Sequence, residues 1–416
     1  MHEKKLYIHF PMAVLILEWL IVLYLHYNNP YHFITMSSGT LSILLIGLSS
    51  IILGYYFVNS FYLKTDDGLP GDYFKININE VFIGKMILFL SVLALIGLSI
   101  MLFEINKATD NFSMYLKNPF LARERIVLMQ EGKINTVSFI GYKMGLYLFS
   151  LMYPVSVIGG AVSLVNSKWK YAGAIPLILM VLFSLVHLNR TSLITGLGLW
   201  IFSRIYFGMY LDPEVRKKSS KKTSIVIILI AMFVIVFFYF IMKVRASSDA
   251  NLEYYVLKSV YSYLTGSGAA FEKVVFNGVE PLYGASSFRS IFKWLATFQL
   301  IDKDLVLGVH NSFVNIGQGF PMRLNTYTFV KSPYEDFGII GVAVVGLIWG
   351  MITRYFIERC FREFSFINIF LVAIMVLSLF MTFFEFFFQG IAMFTYWFFI
   401  VIFIERYLKS RGLYEG

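Results

Sequence analysis

Cysteine and charge are both scarce in this chain of 416 residues. The single cysteine, Cys360, excludes internal disulfides and any cluster of thiolate metal ligands. Asp, Glu, Lys and Arg together make up only 14% of the residues, whereas a soluble domain carries about 25%. Because no soluble basic domain is present, the net charge of +10 does not indicate nucleic-acid binding.

Apolar residues, by contrast, are abundant and are gathered into long runs. They form 58% of the chain, and the mean hydropathy is +0.70. Runs of this length are typical of transmembrane helices, so the sequence predicts an all-α polytopic membrane protein with ten spans. The predicted spans are Phe10–Leu25, Thr40–Leu63, Val81–Phe103, Ser138–Val165, Ala172–Leu188, Ser192–Leu211, Ser224–Val244, Phe337–Phe356, Phe366–Phe387 and Ile391–Leu408.

The first run follows a short basic segment, as in a secretory signal peptide. No small-x-small cleavage site follows Leu25, so we expect the run to remain as the first transmembrane helix.

The distribution of Lys and Arg predicts the orientation. With the N-terminus in the cytoplasm, the cytoplasmic connections hold 17 Lys and Arg, and the outer connections hold 6 apart from one long one. Positive residues favour the cytoplasmic side, so both termini are predicted inside. The chain then divides into residues 1–244 with seven spans, an extracytoplasmic loop 245–336 containing short helices, and residues 337–416 with three spans.

A polar group stands where the long outer loop meets the eighth span. Tyr334, Glu335 and Asp336 precede Phe337 and Gly338 there. A carboxylate beside hydrocarbon costs free energy unless water solvates it, a cation pairs with it, or it takes part in binding or catalysis. Asp336 is predicted to cap the helix, since acids are stabilised at a helix N-terminus by its dipole. Glu335 and Tyr334 are left as the candidates to face a ligand.

Arginine on the outer side is the second feature that points to a ligand. The long loop holds eight basic and eight acidic residues, so it is not a general polyanion binder. Arg190 lies between two apolar runs on the side where positive charge is disfavoured. An anionic ligand would account for Arg190, and so would pairing with Glu18 or Glu385. Arg245, beside Lys243, also opposes the positive-inside trend, for which snorkelling to lipid headgroups is the alternative.

Other motifs favour structure over chemistry. Gly346 and Gly350 form a Gly-x-x-x-Gly pair, which predicts close packing of the eighth helix against another helix. His310, in the polar outer loop, is a candidate for proton transfer, the alternative being a histidine that is simply exposed to water. No metal-ligand spacing, P-loop or dinucleotide fingerprint occurs, so neither a metal nor a cofactor is predicted.

Two short motifs resemble a known family. Asn189–Ser192 after an apolar run, followed by a basic turn and a long outer loop ending in Tyr334–Gly341, is similar to the bacterial Wzy-type oligosaccharide repeat-unit polymerases of O-antigen and capsule synthesis. His310-Asn311 upstream of Glu335 resembles the related O-antigen ligases, although the spacing is longer and the glycine is displaced by one.

The resemblance implies a glycosyltransferase in the cytoplasmic membrane. A glycan on undecaprenyl diphosphate would be transferred at the outer face to the terminal sugar of another lipid-linked repeat unit, without a metal or cofactor. The implied partners are this lipid-linked oligosaccharide, membrane lipid and a chain-length regulator protein, with no nucleic acid. The implied catalytic residues are His310, Glu335 and Asp336, and the implied substrate-binding residues are Arg190, Arg245, Arg289, Arg323, Tyr327 and Tyr334.

Two other activities stay open at this point. An O-antigen ligase-like enzyme would move a finished polymer onto another acceptor. A flippase for lipid-linked oligosaccharides would be expected to have internal repeats and charges near the bilayer midplane. No repeat is evident between the two halves of the chain, and a transporter has less use for a loop of this length.

Overall fold

The computed structural model describes residues 2–58, 77–109, 139–164, 168–187, 191–245, 252–278, 280–302, 314–317, 323–324, 326–412 and 414–415. The α-helices are α1 (His2–Tyr27), α2 (Ser38–Phe57), α3 (Glu80–Thr109), α4 (Phe139–Ser150), α5 (Met152–Val162), α6 (Ile175–His187), α7 (Thr191–Phe207), α8 (Pro213–Arg245), α9 (Leu252–Asn277), α10 (Arg289–Thr297), α11 (Lys331–Arg362), α12 (Phe366–Phe380) and α13 (Ile391–Ser410). The 3-10 helices are Lys168–Ala174, Gly208–Tyr210 and Phe387–Gly390.

Strands are confined to two short antiparallel pairs in the described residues. β1 (Asn77–Ile78) pairs with β4 (Tyr414–Glu415), and β2 (Val314–Asn315) pairs with β3 (Arg323–Leu324).

The apolar helices confirm the predicted fold class. Nine helical stretches in the described part of the chain are long and apolar enough to cross a membrane, and α12 is a shorter apolar helix. Each of these ten coincides with one predicted span. The chain is therefore an all-α polytopic membrane protein. The ninth span was predicted to reach Phe387, but α12 ends at Phe380.

The fourth predicted span is broken into two helices. α4 ends at Ser150 and α5 begins at Met152. Pro154 has no N–H to donate to the carbonyl of Ser150, and its ring crowds that carbonyl. The turn instead tightens, and the N–H of Leu151 donates to the carbonyl of Leu148 at 3.3 Å.

The chain forms two compact units that each combine separated segments. The first two predicted spans share a unit with α11 and with most of the segment predicted as the outer loop. The first unit consists of residues 1–69, 257–362 and 374–396, and the second of residues 70–256, 363–373 and 397–416.

In the first unit, α2 packs closely against α11 through glycine. A Cβ added at Gly350 would lie 2.0 Å from the carbonyl oxygen of Ile51, and one added at Gly346 would lie 2.9 Å from that of Gly47. Any larger side chain at Gly350 would force the two backbones apart. This confirms the close helix packing predicted for the Gly-x-x-x-Gly pair.

The outer loop contains one long helix in addition to the short one. α9 has 26 residues, whereas α10 is the short helix in this segment. The Nδ1–H of His26, at the end of α1, donates to the backbone carbonyl of Thr265 at the middle of α9 at 3.1 Å, while its Nε2 accepts the backbone N–H of Met36. Glu272 accepts a hydrogen bond from the backbone N–H of Ser37 at 2.8 Å. These contacts fix α9 against the ends of α1 and α2.

The ends of α11 and α12 meet at the same end of this unit. The backbone N–H of Phe329 donates to the carbonyl of Thr382 at 2.9 Å. The indole N–H of Trp19, from α1, donates to the hydroxyl of Thr382 at 2.9 Å, and the Ser267 hydroxyl, from α9, donates to the carbonyl of Phe383. The residues just before α11 and just after α12 are thereby held together and tied to α1 and α9.

In the second unit, α5 packs on α7 and on the 3-10 helix Lys168–Ala174. The indole N–H of Trp200 donates to the carbonyl of Gly173 at 2.8 Å. Near the end of α7, the buried Arg204 donates to the hydroxyls of Thr223 and Ser163. A buried guanidinium needs such acceptors, because an unpaired charge in an apolar interior is costly.

Candidate functional site

The polar group at the start of α11 lies in a short helical segment of its own. α11 begins at Lys331, six residues before the predicted start, and bends at Gly338, where φ is 64°. A residue with a side chain rarely adopts this left-handed conformation. We call Lys331–Gly338 the seam. The bend separates the seam from the apolar part of α11.

Asp336 holds the loop before α10 in place. Its side chain is fully buried, and its Oδ1 and Oδ2 accept the backbone N–H groups of Ser286 at 3.0 Å and Ser287 at 2.7 Å. It therefore anchors a distant segment, whereas the sequence predicted a cap on its own helix. Because both oxygens are used inside the fold, the geometry gives Asp336 a positioning role instead of the predicted catalytic one.

Glu335 joins the seam to the same loop and lies nearer the surface. Its Oε1 is 3.0 Å from Nζ of Lys331, one helical turn earlier, and its Oε2 accepts the hydroxyl proton of Ser286 at 2.7 Å. Its backbone carbonyl accepts the N–H of Leu282 at 3.0 Å. The carboxylate thus lies between an ammonium group and a hydroxyl donor.

Arg289, the first residue of α10, completes the cluster. The side chain is half-buried, and its Nε–H is buried without a hydrogen-bond acceptor in the described part of the chain. Burial lowers the pKa of the guanidinium, and the negative charge of Glu335 offsets part of this effect. An arginine stays charged in proteins, so this side chain is a partly buried cation with one N–H left without an acceptor in the described part of the chain.

The two predicted tyrosines differ in exposure. Tyr327 is buried in a core cluster with Phe33 and Ile316, and Nζ of Lys331 lies 4.5 Å from the centroid of its ring. Its ring therefore packs inside the protein beside Lys331, a position that does not favour the predicted contact with a sugar. Tyr334 is half-buried, and its ring meets Phe271 of α9 edge to face at 5.7 Å.

The remaining predicted site residues have no described side chain. Arg190 and His310 lie outside the described residues. For Arg245, the last residue of α8, and for Arg323, in β3, only the backbone is described. Their roles in binding or catalysis stay predictions.

The two acids named as alternatives to a ligand for Arg190 lie in the first unit. Both carboxylate oxygens of Glu18, in α1, are buried without a hydrogen-bond partner among the residues described. Glu385 lies in the connection between α12 and α13, where burial raises its pKa to about 7.

Several residues of this cluster were not predicted as site residues. Lys331 and Glu335 are four residues apart, a spacing that places side chains together on a helix, so their pairing was detectable in the sequence. Ser286 and Ser287 were not detectable, because the turn before α10 reaches the seam only in the folded chain. The amide of Gln389 likewise donates to the hydroxyl of Ser332.

Comparison with known proteins gives no relative. No protein-family model matches the chain, and neither the curated proteins nor the solved structures include a detectable match. The resemblance to repeat-unit polymerases therefore rests on the short motifs alone. Within the described residues, no three His, Cys, Asp or Glu side chains lie together as metal ligands do.

Proposed function

We propose that this protein is a membrane glycosyltransferase that polymerises undecaprenyl-diphosphate-linked oligosaccharide repeat units at the outer face of the cytoplasmic membrane. The proposal combines the motif resemblance with the position of the cluster formed by Arg289, Lys331 and Glu335. This cluster lies beside the apolar part of α11, where the polar end of a lipid-linked substrate would lie.

The observation that carries the proposal is the half-buried guanidinium of Arg289, whose buried Nε–H has no acceptor in the described part of the chain and whose remaining N–H groups are those that a ligand could reach. Transfer of a glycan from a lipid diphosphate breaks the bond between the anomeric carbon and the phosphate oxygen. The electron pair goes to the diphosphate, so negative charge grows on the leaving group. A preorganised cation that meets this charge accelerates the step, and a guanidinium can bind two phosphate oxygens at once.

Glu335 is the proposed base for the acceptor. The acceptor hydroxyl oxygen forms the new bond to the anomeric carbon and releases its proton. Oε2 of Glu335 already accepts a hydrogen bond from the hydroxyl of Ser286, at 2.7 Å. A sugar hydroxyl that takes the place of Ser286 would have the geometry needed for general base catalysis. The half-buried Tyr334 lies on the same segment and is the remaining aromatic candidate for contact with the acceptor sugar.

The outer location follows from the predicted orientation. With both termini inside, the N-terminal end of α11 faces outward, and so does the C-terminal end of α12, which meets it in the first unit through the bond between Phe329 and Thr382. A polymerase that works on lipid-linked units needs its acidic and basic groups at this boundary, because the diphosphate cannot enter the hydrocarbon.

The test is the length distribution of glycan in cells that lack the chromosomal gene and carry a plasmid copy. Arg289→Gln is expected to lower the rate of elongation by roughly 100-fold to 1,000-fold, the loss typical for one donor to a developing oxyanion. The glycan should then collapse to single repeat units. Arg289→Lys keeps the positive charge but lacks the planar guanidinium that can bind two phosphate oxygens. Its elongation rate is expected to lie between those of the wild type and Arg289→Gln.

The matched control is Arg359→Gln, which removes an exposed arginine near the other end of α11. It should leave a normal ladder. All variants are compared at equal amounts of membrane-inserted protein. A normal ladder with Arg289→Gln would exclude this residue from the reaction, and loss of finished polymer on its final acceptor with an intact lipid-linked ladder would indicate a ligase instead.

A further inference from the structure

The short helix α10 has its apolar side turned away from the protein. Ile291, Trp294 and Phe298 recur at the spacing of one helical face and are 39%, 61% and 58% exposed. A helix on a soluble protein normally turns such a stripe toward the core. Three large exposed side chains in one stripe therefore indicate an apolar surrounding outside the protein.

The rest of the α10 surface divides between protein contact and charge. Ala296 is buried, and the ring of Phe292 lies close to Gly284 in the preceding turn. Arg289 and Lys293, four residues apart, lie on the side of the helix opposite the apolar stripe. This pattern of an apolar face with a basic polar face is typical of helices that lie in the plane of a membrane interface.

Two contacts fix the height of α10 relative to the spans of the first unit. The Ser290 hydroxyl accepts the backbone N–H of Ala392, the second residue of α13, at 3.3 Å. The loop immediately before α10 is held by Asp336, just before the bend that begins the apolar part of α11. Both neighbours are ends of membrane-spanning helices, so α10 lies at the level where hydrocarbon meets water.

We propose that α10 is an interfacial helix seated in the outer leaflet of the bilayer. Ile291, Trp294 and Phe298 enter the boundary between headgroups and acyl chains, and the occupant of this face is phospholipid. Arg289 and Lys293 then lie at the level of the lipid phosphates. This placement does not depend on the proposed glycosyltransferase reaction.

The experiment measures the depth of single residues in the membrane. Cys360→Ala removes the only cysteine, and Trp294→Cys or Phe298→Cys then accepts a nitroxide spin label in protein reconstituted into phospholipid nanodiscs. Collision rates are measured with oxygen, which partitions into hydrocarbon, and with a water-soluble nickel chelate. We expect the ratio of oxygen to nickel collisions to be several-fold higher at 294 and 298 than at the control position.

The control is Thr297→Cys, whose label lies on an exposed position of the polar side of the same helix. If all three labels respond equally to nickel, α10 lies in water and the proposal is overturned. If the labels at 294 and 298 are protected from both reagents, protein covers the stripe, and the proposal is also overturned. Elution of each variant as wild type in size-exclusion chromatography establishes that it is folded.

Discussion

Asp336 offers the sharpest test of how the seam is built. Asp336→Asn keeps the size of the side chain and removes the charge. The aspartate accepts two backbone N–H groups in a fully buried position. The asparagine retains one acceptor oxygen but directs an NH₂ group at the other backbone N–H, so that two donors face each other.

The cost follows from these two hydrogen bonds. A hydrogen bond to a charged group contributes about 1.5–3 kcal/mol, and a buried donor left without an acceptor costs about 1–3 kcal/mol. Asp336→Asn loses one such bond and leaves one N–H unpaired, so we expect a loss of about 2.5–6 kcal/mol. For a cooperative unit of about 200 residues this lowers the apparent unfolding temperature by roughly 5–20 °C.

Cys360 provides the assay. It is the only cysteine, it is fully buried, and it belongs to the same compact unit as Asp336. A maleimide dye that fluoresces on reaction with a thiol therefore reports unfolding of this unit during heating in detergent. The matched control is Glu280→Gln, which removes an exposed carboxylate from the same outer loop. If Asp336→Asn unfolds at the same temperature as the wild type, the anchoring role of Asp336 is wrong.

Three further predictions use other contacts. Gly350→Ala places a Cβ 2.0 Å from the carbonyl oxygen of Ile51, so it should lower the unfolding temperature in the same assay by the equivalent of about 1–3 kcal/mol. The control is Gly390→Ala, whose Cβ meets only ordinary van der Waals contact and should leave the unfolding temperature unchanged. Burial raises the pKa of Glu385 from 4.5 to about 7, so the folded state binds this proton more tightly than the unfolded state does. The unfolding temperature should therefore fall as pH rises between these two values. Glu385→Gln should abolish this dependence, and a variant with the same pH profile as the wild type would show that Glu385 is not its cause. Arg190→Ala should abolish long glycan while the protein stays in the membrane, and a normal length distribution would remove Arg190 from the proposed site.

The positions of the spans were predictable because each depends on a local property. An apolar run of sufficient length forms a helix in lipid whatever it packs against. The residues at which the helices end were less predictable, since they depend on contacts with other helices. α12 stops at Phe380, where the following Thr382 and Phe383 bond to residues of α1 and α9. The break at Leu151 had a local cause in Pro154 that the apolar run concealed.

The helix α9 and the contacts of the site were also hard to predict, because both depend on residues that are distant in the chain. α9 carries several charged residues and becomes a buried helix only by packing on the ends of α1 and α2. The importance of Glu335 was predicted from two carboxylates beside an apolar run. Its partner Ser286 lies 49 residues earlier in the chain, and no sequence pattern links the two. The burial of Tyr327 could not be predicted, because an aromatic residue in a polar loop gives no local sign of it.

Reconstitution of the purified protein with lipid-linked repeat units tests the central claim most directly. The units are extracted from the source cells and placed in both leaflets of proteoliposomes, and the products are separated by length. The account predicts a ladder of elongated lipid-linked glycans, together with release of the free diphosphate carrier, and a much weaker ladder with Arg289→Gln. Movement of unelongated units between leaflets, with no product longer than one repeat, would contradict it and would indicate a transporter.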